Sequence, residues 1–315
     1  MSRILLIDVD SHNFPNLVLM KLSAYYKDKG DNVSFIKLGK EDKKMILIGQ
    51  PPWFDGEYDK IYAACVFSEN KLIALILKGM GAVVGGTGIM DYDNQTLPYE
   101  IEHTFPDYSL YKDEKIKNTA YGFLTRGCPR GCKFCVVGKK EGFCSDKVAE
   151  LDEFWNGQKY IKLLDANILA YPYCEELLED LADSGAYVDF TQGLDARCAN
   201  RKNLSSLRNI KIKRLHWAWD NPRSEGTKMM LLLVRKLLPY RPEIMKCYVL
   251  TNYWSTFEED LMRVYWLREN GFDPYIMIYD KYNAPDNVRK LQRWVNNKRI
   301  WNIIDRFEDY DCTRG

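Results

Sequence analysis

Apolar and polar positions divide the chain into two series of alternating strand-like and helix-like segments. Ile4-Leu5-Leu6-Ile7-Asp8-Val9 is a short, nearly continuous apolar run ending in polar residues, the pattern of a parallel strand buried on both faces. Residues 17–29 have helical spacing and stop at Gly30, and 33–38 read as the next strand. Residues 61–67 form a third strand, 71–79 a helix, and 82–84 a fourth strand closed by Gly85-Gly86-Thr87-Gly88. Strands alternating with helices at this interval predict a small doubly wound, Rossmann-like α/β unit over residues 1–91. Residues 92–117 are polar, rich in tyrosine and contain Pro98 and Pro106. They lack the Gly/Ser composition of a free tether and read as a linker that wraps a surface.

A second series begins at Tyr121. Strand-like runs fall at 121–125, 160–164, 187–191, 214–219, 246–251 and 274–279. Helical segments lie between them near 147–156, 173–184, 202–208, 227–238 and 256–270, and another at 285–297. Six consecutive βα units with right-handed crossovers predict a parallel sheet that curls into a partial (β/α)6 barrel over residues 118–285, followed by a helical tail at 286–315. Ligands in such folds sit at the C-terminal ends of the strands. Trp217 and Trp219 flank the end of the fourth strand, one expected to face the lumen and the other the helices.

Composition adds limits. The chain has 315 residues, 46% of them hydrophobic, enough for a sizeable core. With 45 basic against 44 acidic residues there is no global electrostatic case for nucleic acid. The run after Met1-Ser2-Arg3 is too short for a signal peptide, and no stretch of about 18 apolar residues occurs to span a membrane. A cytoplasmic location is the expectation. Nine cysteines in a chain of this length are no disulfide scaffold. Cys65, Cys198 and Cys247 lie in or beside apolar runs and read as small buried hydrophobes, and Cys174 and Cys312 as incidental.

Thr125-Arg126-Gly127-Cys128-Pro129-Arg130-Gly131-Cys132-Lys133-Phe134-Cys135 is different, because periodicity does not explain three cysteines in eight residues. Thiolates are soft ligands for zinc or iron–sulfur clusters. Three can hold three irons of a four-iron cluster and leave the fourth open to chemistry. A closed site needs a fourth ligand, and Cys144 is the nearest candidate in sequence; with it the loop would be a zinc site or an electron-transfer centre.

The loop resembles the signature of the radical S-adenosylmethionine superfamily, Cx3Cx2C with an aromatic residue before the third cysteine, here Phe134. It also follows the first of six predicted strands, where that family carries it. The resemblance covers residues 117–285 and implies a 4Fe-4S cluster on Cys128, Cys132 and Cys135. The open iron would chelate S-adenosylmethionine. One-electron cleavage would then give methionine and a 5′-deoxyadenosyl radical that abstracts hydrogen from substrate. It further implies an electron donor such as flavodoxin or ferredoxin, while the substrate, small or macromolecular, is not named by the sequence.

Other strand ends carry the resemblance further. Asp165-Ala166-Asn167 ends the second strand where the family meets the amino group of S-adenosylmethionine; Asp165 would accept from an ammonium and Asn167 would bond either way, or the pair is a helix cap. Gln192-Gly193-Leu194-Asp195-Ala196-Arg197 resembles a run in cobalamin-associated relatives. There Gln192 would bond ribose hydroxyls and Arg197 clamp a carboxylate beside Asp195, or the run is a turn with a surface ion pair. Asp220 and Asn252 share the same predicted rim, as cofactor contacts or loop caps, and Tyr279-Asp280-Lys281 would line the substrate side. The N-terminal unit resembles the cobalamin-binding domain that precedes many such enzymes. Its Asp-x-His-x-x-Gly loop corresponds to Asp10-Ser11-His12-Asn13-Phe14-Pro15, with Pro15 in place of glycine. Ser68 and the pair Gly85-Gly86 stand where that domain has a serine and paired glycines. Cobalamin on His12 would make methyl transfer the natural reaction. At the C-terminus, Arg289 to Val295 and Lys298 to Trp301 mix basic and aromatic residues. They read as an amphipathic helix closing the barrel rather than a nucleic-acid site.

Overall fold

A computed structural model describes residues 1–12, 14–53, 57–89 and 96–311. It is a mixed α/β fold built on parallel sheets. The chain divides into two units, Met1–Tyr121 with Asp152–Gln158, and Gly122–Leu151 with Lys159–Gly315.

The first unit runs β1 (Arg3–Asp8), α1 (Leu17–Asp28), β2 (Asn32–Lys37), α2 (Lys40–Leu47), β3 (Lys60–Ala64), α3 (Lys71–Gly79) and β4 (Val83–Gly85). Its four strands are parallel, in the order β2-β1-β3-β4. The central strand β1 explains the unbroken apolar run. Successive side chains point to opposite faces, so Ile4 and Leu6 pack with Leu19, Leu22 and Tyr26, while Leu5 and Ile7 pack with Ile46, Ile73 and Leu77. Asn16 starts α1 by accepting from the Leu19 N–H at 3.2 Å.

The described part of the stretch read as a linker, 96–117, is built into this unit. It carries α4 (Tyr99–Glu102) and α5 (Glu114–Lys117). Ile101 joins the core. The Tyr111 hydroxyl donates to buried Asp8 at 2.8 Å and accepts from the Asn16 N–H at 2.9 Å. Residues 147–156 do not form the expected helix; Leu151–Glu153 is a single 3-10 turn. Specific partners override the helical spacing there: Glu153 meets His103 at 2.6 Å, and the Phe154 carbonyl accepts from the Tyr108 hydroxyl at 2.7 Å.

The second unit takes up the chain at the last residue of β5 (Thr119–Gly122) and continues with β6 (Thr125–Arg126), α6 (Val137–Glu141) and β7 (Asp146–Lys147). Then come β8 (Tyr160–Leu163), α7 (Cys174–Asp183), β9 (Tyr187–Leu194), α8 (Arg201–Asn209) and β10 (Lys211–Ala218). The series closes with α9 (Glu225–Leu237), β11 (Met245–Thr251), α10 (Phe257–Glu269), β12 (Asp273–Ile278), α11 (Asp286–Asn296) and α12 (Lys298–Ile303). Strands β8 to β12 are parallel and lie side by side in chain order. The Leu164 N–H donates to the Gly122 carbonyl at 2.9 Å, which carries the end of β5 alongside β8.

Helices bury one face of this sheet through residues such as Leu178, Leu207, Val234, Leu267 and Val295. Positions of the opposite parity are polar or aromatic, with Lys162 in register with Asp189, His216 with Lys246 and Tyr248 with Tyr275. The tail is helical, and Leu291, Trp294 and Val295 of α11 are buried, as an amphipathic helix requires. Trp217 and Trp219 do not split between faces. Both are fully buried, Trp217 within β10 and Trp219 one residue beyond its end, where it packs edge-on against Trp266 of α10.

One buried cation holds the far strand ends. Arg263 of α10 has no solvent exposure, donates to the carbonyls of Trp219 (2.6 Å), Asp220 (2.9 Å) and Leu250 (2.8 Å), and pairs with buried Asp260 at 2.5 Å. The guanidinium has five donors in a rigid fork, which suits three carbonyls and a carboxylate at once. Arg263→Met leaves buried Asp260 without its cation and takes a donor from the carbonyls of Trp219, Asp220 and Leu250, of which Asp220 keeps Trp254 Nε1 at 3.1 Å. It is expected to lower the unfolding free energy by about 3–5 kcal/mol in urea denaturation; a loss under 1 kcal/mol would contradict this role.

Candidate functional site

The cysteine loop leaves the sheet after β5 and is folded by its own backbone. β6 pairs antiparallel with β7, Thr125 opposite Lys147. The Cys128 N–H donates to the Gly142 carbonyl at 3.2 Å, and the Cys135 N–H to the Cys132 carbonyl at 2.9 Å. Gly127 has φ +84°, and a Cβ there would lie 1.9 Å from the Cys144 carbonyl oxygen, so only glycine lets the two loop arms meet. Cys128, Cys132 and Cys135 are half-buried. Cys144, the fourth ligand that the sequence brought forward, is exposed.

The second strand end grips the loop. Asp165 is buried, and its carboxylate accepts from the N–H groups of Leu124 (3.2 Å) and Thr125 (2.5 Å) and from the Thr125 hydroxyl (2.8 Å). Burial pushes its pKa up to about 6, against the downward pull of the Thr125 bonds. Asn167, also buried, turns its amide nitrogen to Cys128 Sγ at 3.7 Å and Cys198 Sγ at 3.8 Å. Its Oδ1 is buried without a hydrogen-bond partner, an acceptor waiting for a donor.

The third strand end meets the loop through charge. Arg130, between the first two cysteines, donates to Asp195 at 2.5 Å and reaches Cys198 Sγ at 3.3 Å. Arg197 also clamps Asp195, at 2.8 and 3.0 Å. Burial would raise the Asp195 carboxyl, but the Arg197 bonds and the two guanidiniums hold it below the usual carboxylate range. Gln192 is exposed on the same run. Asp220, after β10, is pushed up to about 6 by burial, partly offset by Arg263 and Arg197. Burial raises the thiols of Cys132 and Cys135, and the charge of Asp220 and the neighbouring cysteines adds to it. A bound metal removes that penalty, since coordinating thiols give up their protons.

The fifth strand end supplies an aromatic wall. Asn252 holds φ 58°, a left-handed conformation that Asn tolerates, and donates to the Asp280 carbonyl at 3.1 Å. Tyr253 and Trp254 follow, and the Phe134 ring packs edge-on against both, at 5.6 and 5.8 Å between centroids. Tyr279 continues the wall at 4.6 Å from Tyr253.

The structure thus brings Phe134, the three cysteines, Asp165, Asn167, Asp195 and Arg197 to one end of one sheet. Sequence reasoning missed Arg130, although it lies inside the loop, and Cys198, which directly follows the Arg197 run. Cys198 is not a buried hydrophobe but a half-buried thiol at the site. Among the described residues, no group of three or more His, Cys, Asp or Glu side chains converges to hold one metal ion. A four-iron cluster spreads its thiolates over separate irons, so its ligands need not converge on a point.

The residues singled out in the first unit stand apart by role. Asp10 accepts from the N–H groups of Val66 (2.7 Å) and Phe67 (3.0 Å) and from the Asn70 amide (3.0 Å), tying the loop after β1 to that after β3. His12 and Ser68 are exposed beside it, and Asn13 lies outside the described residues, as does Cys312. Gly86 (φ +110°) has its own reason to be glycine, because a Cβ would lie 2.1 Å from the Cys65 carbonyl oxygen; Gly85 meets no such neighbour. Across the described residues no helix is long and apolar enough to cross a membrane.

No protein-family model and no curated protein matches the chain. Among solved structures it is similar to the radical S-adenosylmethionine methyltransferase TsrM from Kitasatospora setae with tryptophan substrate and an S-adenosylmethionine analogue bound (12% identity, TM-score 0.44, 88% of this chain and 67% of that one). It is similar to the same enzyme with cobalamin and a [4Fe-4S] cluster bound (13% identity, TM-score 0.44, 88% and 69%). It is also similar to the cobalamin-dependent S-adenosylmethionine radical enzyme OxsB (13% identity, TM-score 0.40, 92% of this chain and 51% of that one).

Asp165 gives this site a pH signature. Between its ordinary value of 3.8 and its folded value of about 6, the folded chain holds a proton that the unfolded chain has lost. Stability from this group is therefore greatest at low pH and falls as pH rises through that window. Asp165→Asn, which does not titrate, should close its stability deficit relative to wild type by roughly 2 kcal/mol between pH 4 and pH 7. Urea denaturation at both pH values reads this, and a constant gap would show that the carboxyl titrates normally.

Proposed function

We propose that this chain is a radical S-adenosylmethionine enzyme whose second unit is a partial barrel with the cluster site at the C-terminal ends of its strands. One observation carries the reading. Three half-buried thiols sit on a single Cx3Cx2C loop, and the first of them, Cys128, faces Asn167, whose buried amide oxygen has no partner. The donor set fits a 4Fe-4S cluster: soft thiolates, removed in part from water, three in number. The reach of the loop from β5 to the aromatic wall after β11 is what a curling sheet permits.

When bound, the cluster supplies one electron from an external donor such as a flavodoxin or ferredoxin to S-adenosylmethionine, splitting it into methionine and a 5′-deoxyadenosyl radical. The chain's own residues do the rest. Cys128, Cys132 and Cys135 hold three irons. Asp165 fixes the height of the loop, and Asn167 offers Oδ1 to an ammonium hydrogen. Arg197, already paired with Asp195, offers its remaining donors to a carboxylate. Phe134, Tyr253 and Trp254 exclude water from the reacting side. The polar and aromatic face below, with Asp189, His216 and Tyr248, receives the substrate.

Anaerobic reconstitution, reduction and addition of S-adenosylmethionine should release 5′-deoxyadenosine, and Cys128→Ala, Cys132→Ala or Cys135→Ala should lower the rate at least a hundredfold. A full cluster with no 5′-deoxyadenosine would sink the reading. Cobalamin-dependent methyl transfer is a second reading, favoured by the exposure of His12 and Ser68 in the loops after β1 and β3. Titrating the anaerobic protein with hydroxocobalamin should shift its visible absorption; an unchanged spectrum removes cobalamin.

A further inference from the structure

We infer that Cys198 is a fourth, exchangeable thiolate ligand of the cluster, closing the open iron until S-adenosylmethionine displaces it. The inference rests on the cluster reading above and adds how its open position is guarded.

Cys198 lies 63 residues beyond Cys135, yet the fold brings its sulfur to the loop. One amide nitrogen, Asn167 Nδ2, is 3.7 Å from Cys128 Sγ and 3.8 Å from Cys198 Sγ, so the two sulfurs are at most 7.5 Å apart. That is on the scale of two metal–thiolate bonds, roughly 2.3 Å each, plus one edge of a cluster. The position is built rather than incidental. Cys198 ends the 3-10 turn Ala196–Cys198 that follows β9, opened by the Asp195 side chain on the Arg197 N–H at 3.0 Å. Its carbonyl accepts from buried Asn203 at 3.0 Å. Asn167 is itself 2% exposed, and its second amide atom, Oδ1, is unpartnered. This buried amide therefore faces two thiols while keeping an acceptor free. Arg130 Nη2, 3.3 Å from Cys198 Sγ, supplies a cation to the released thiolate. Cys144 has none of this support, since its side chain is exposed and its carbonyl packs on Gly127.

The exchange balances without redox chemistry. The Cys198 sulfur–iron bond breaks, the amino nitrogen and carboxylate oxygen of S-adenosylmethionine bond to that iron, and the thiolate stays against Arg130 or takes a proton from water. No electron is transferred. A closed fourth iron shields the cluster from oxygen and from idle reduction while the cofactor is absent.

The test is iron-57 Mössbauer spectroscopy of the full chain, reconstituted anaerobically with iron and sulfide. Wild type without S-adenosylmethionine should show four irons in all-sulfur coordination, and its addition should move one iron of the four to a nitrogen- and oxygen-bearing environment. Cys198→Ala and Cys198→Ser should show that distinct iron before any cofactor is added. A distinct iron already present in cofactor-free wild type, or variant spectra identical to an all-sulfur wild type, overturns the inference; the wild-type measurement decides even if a variant misfolds. Failure of the cluster reading looks different: iron is not incorporated at all, or is retained after Cys128, Cys132 and Cys135 are all changed to alanine.

Discussion

A single buried carboxyl sets the geometry on which the site depends. Asp165, at the end of β8, takes two backbone N–H groups and a hydroxyl from the start of the cysteine loop. Those donors have left the ladder of β5, and buried donors need partners. The carboxyl supplies them from the neighbouring strand and so fixes how far the loop stands above the sheet. Everything beyond Thr125 is hung from that point. Arg130 then finds Asp195, Asn167 finds two sulfurs, and Phe134 finds the rings of Tyr253 and Trp254.

The same device recurs wherever a strand ends. Arg263 collects carbonyls just after β10 and near the end of β11, Asn252 reaches across to Asp280, and in the first unit Asp10 collects the N–H groups after β3. In each case a side chain from one connection satisfies backbone left over by another. The two units keep this logic separately, and it explains why the loops hold defined shapes at the edges of the sheets with no disulfide among the described residues.

Much of this was legible in the sequence. Buried parallel strands write themselves as continuous apolar runs, and β1 was read that way. The cysteine spacing marked the loop, and Asp165, Asn167 and Asp195 were singled out because they end strands. What could not be read are contacts made by topology. Cys198 looks like a small hydrophobe until β9 is laid beside β8, and nothing local says that Arg130 will meet Asp195. The helical spacing near 147–156 misled because Glu153 and Phe154 answer to His103 and Tyr108, some 50 residues earlier. Propensity lost there to partners that a local window does not contain.

The long reach of the loop's contacts bears on how the chain acquires its shape. Thr125 waits for a partner 40 residues downstream, and Arg130 for partners 65 and 68 residues downstream. Such closures come late in folding, after the local helices and neighbouring strands have formed. During synthesis the cysteine loop emerges from the ribosome well before β9 and β11, and its thiols then stand in water without their cover. The last region to settle is therefore the one whose thiols are most vulnerable to oxidation.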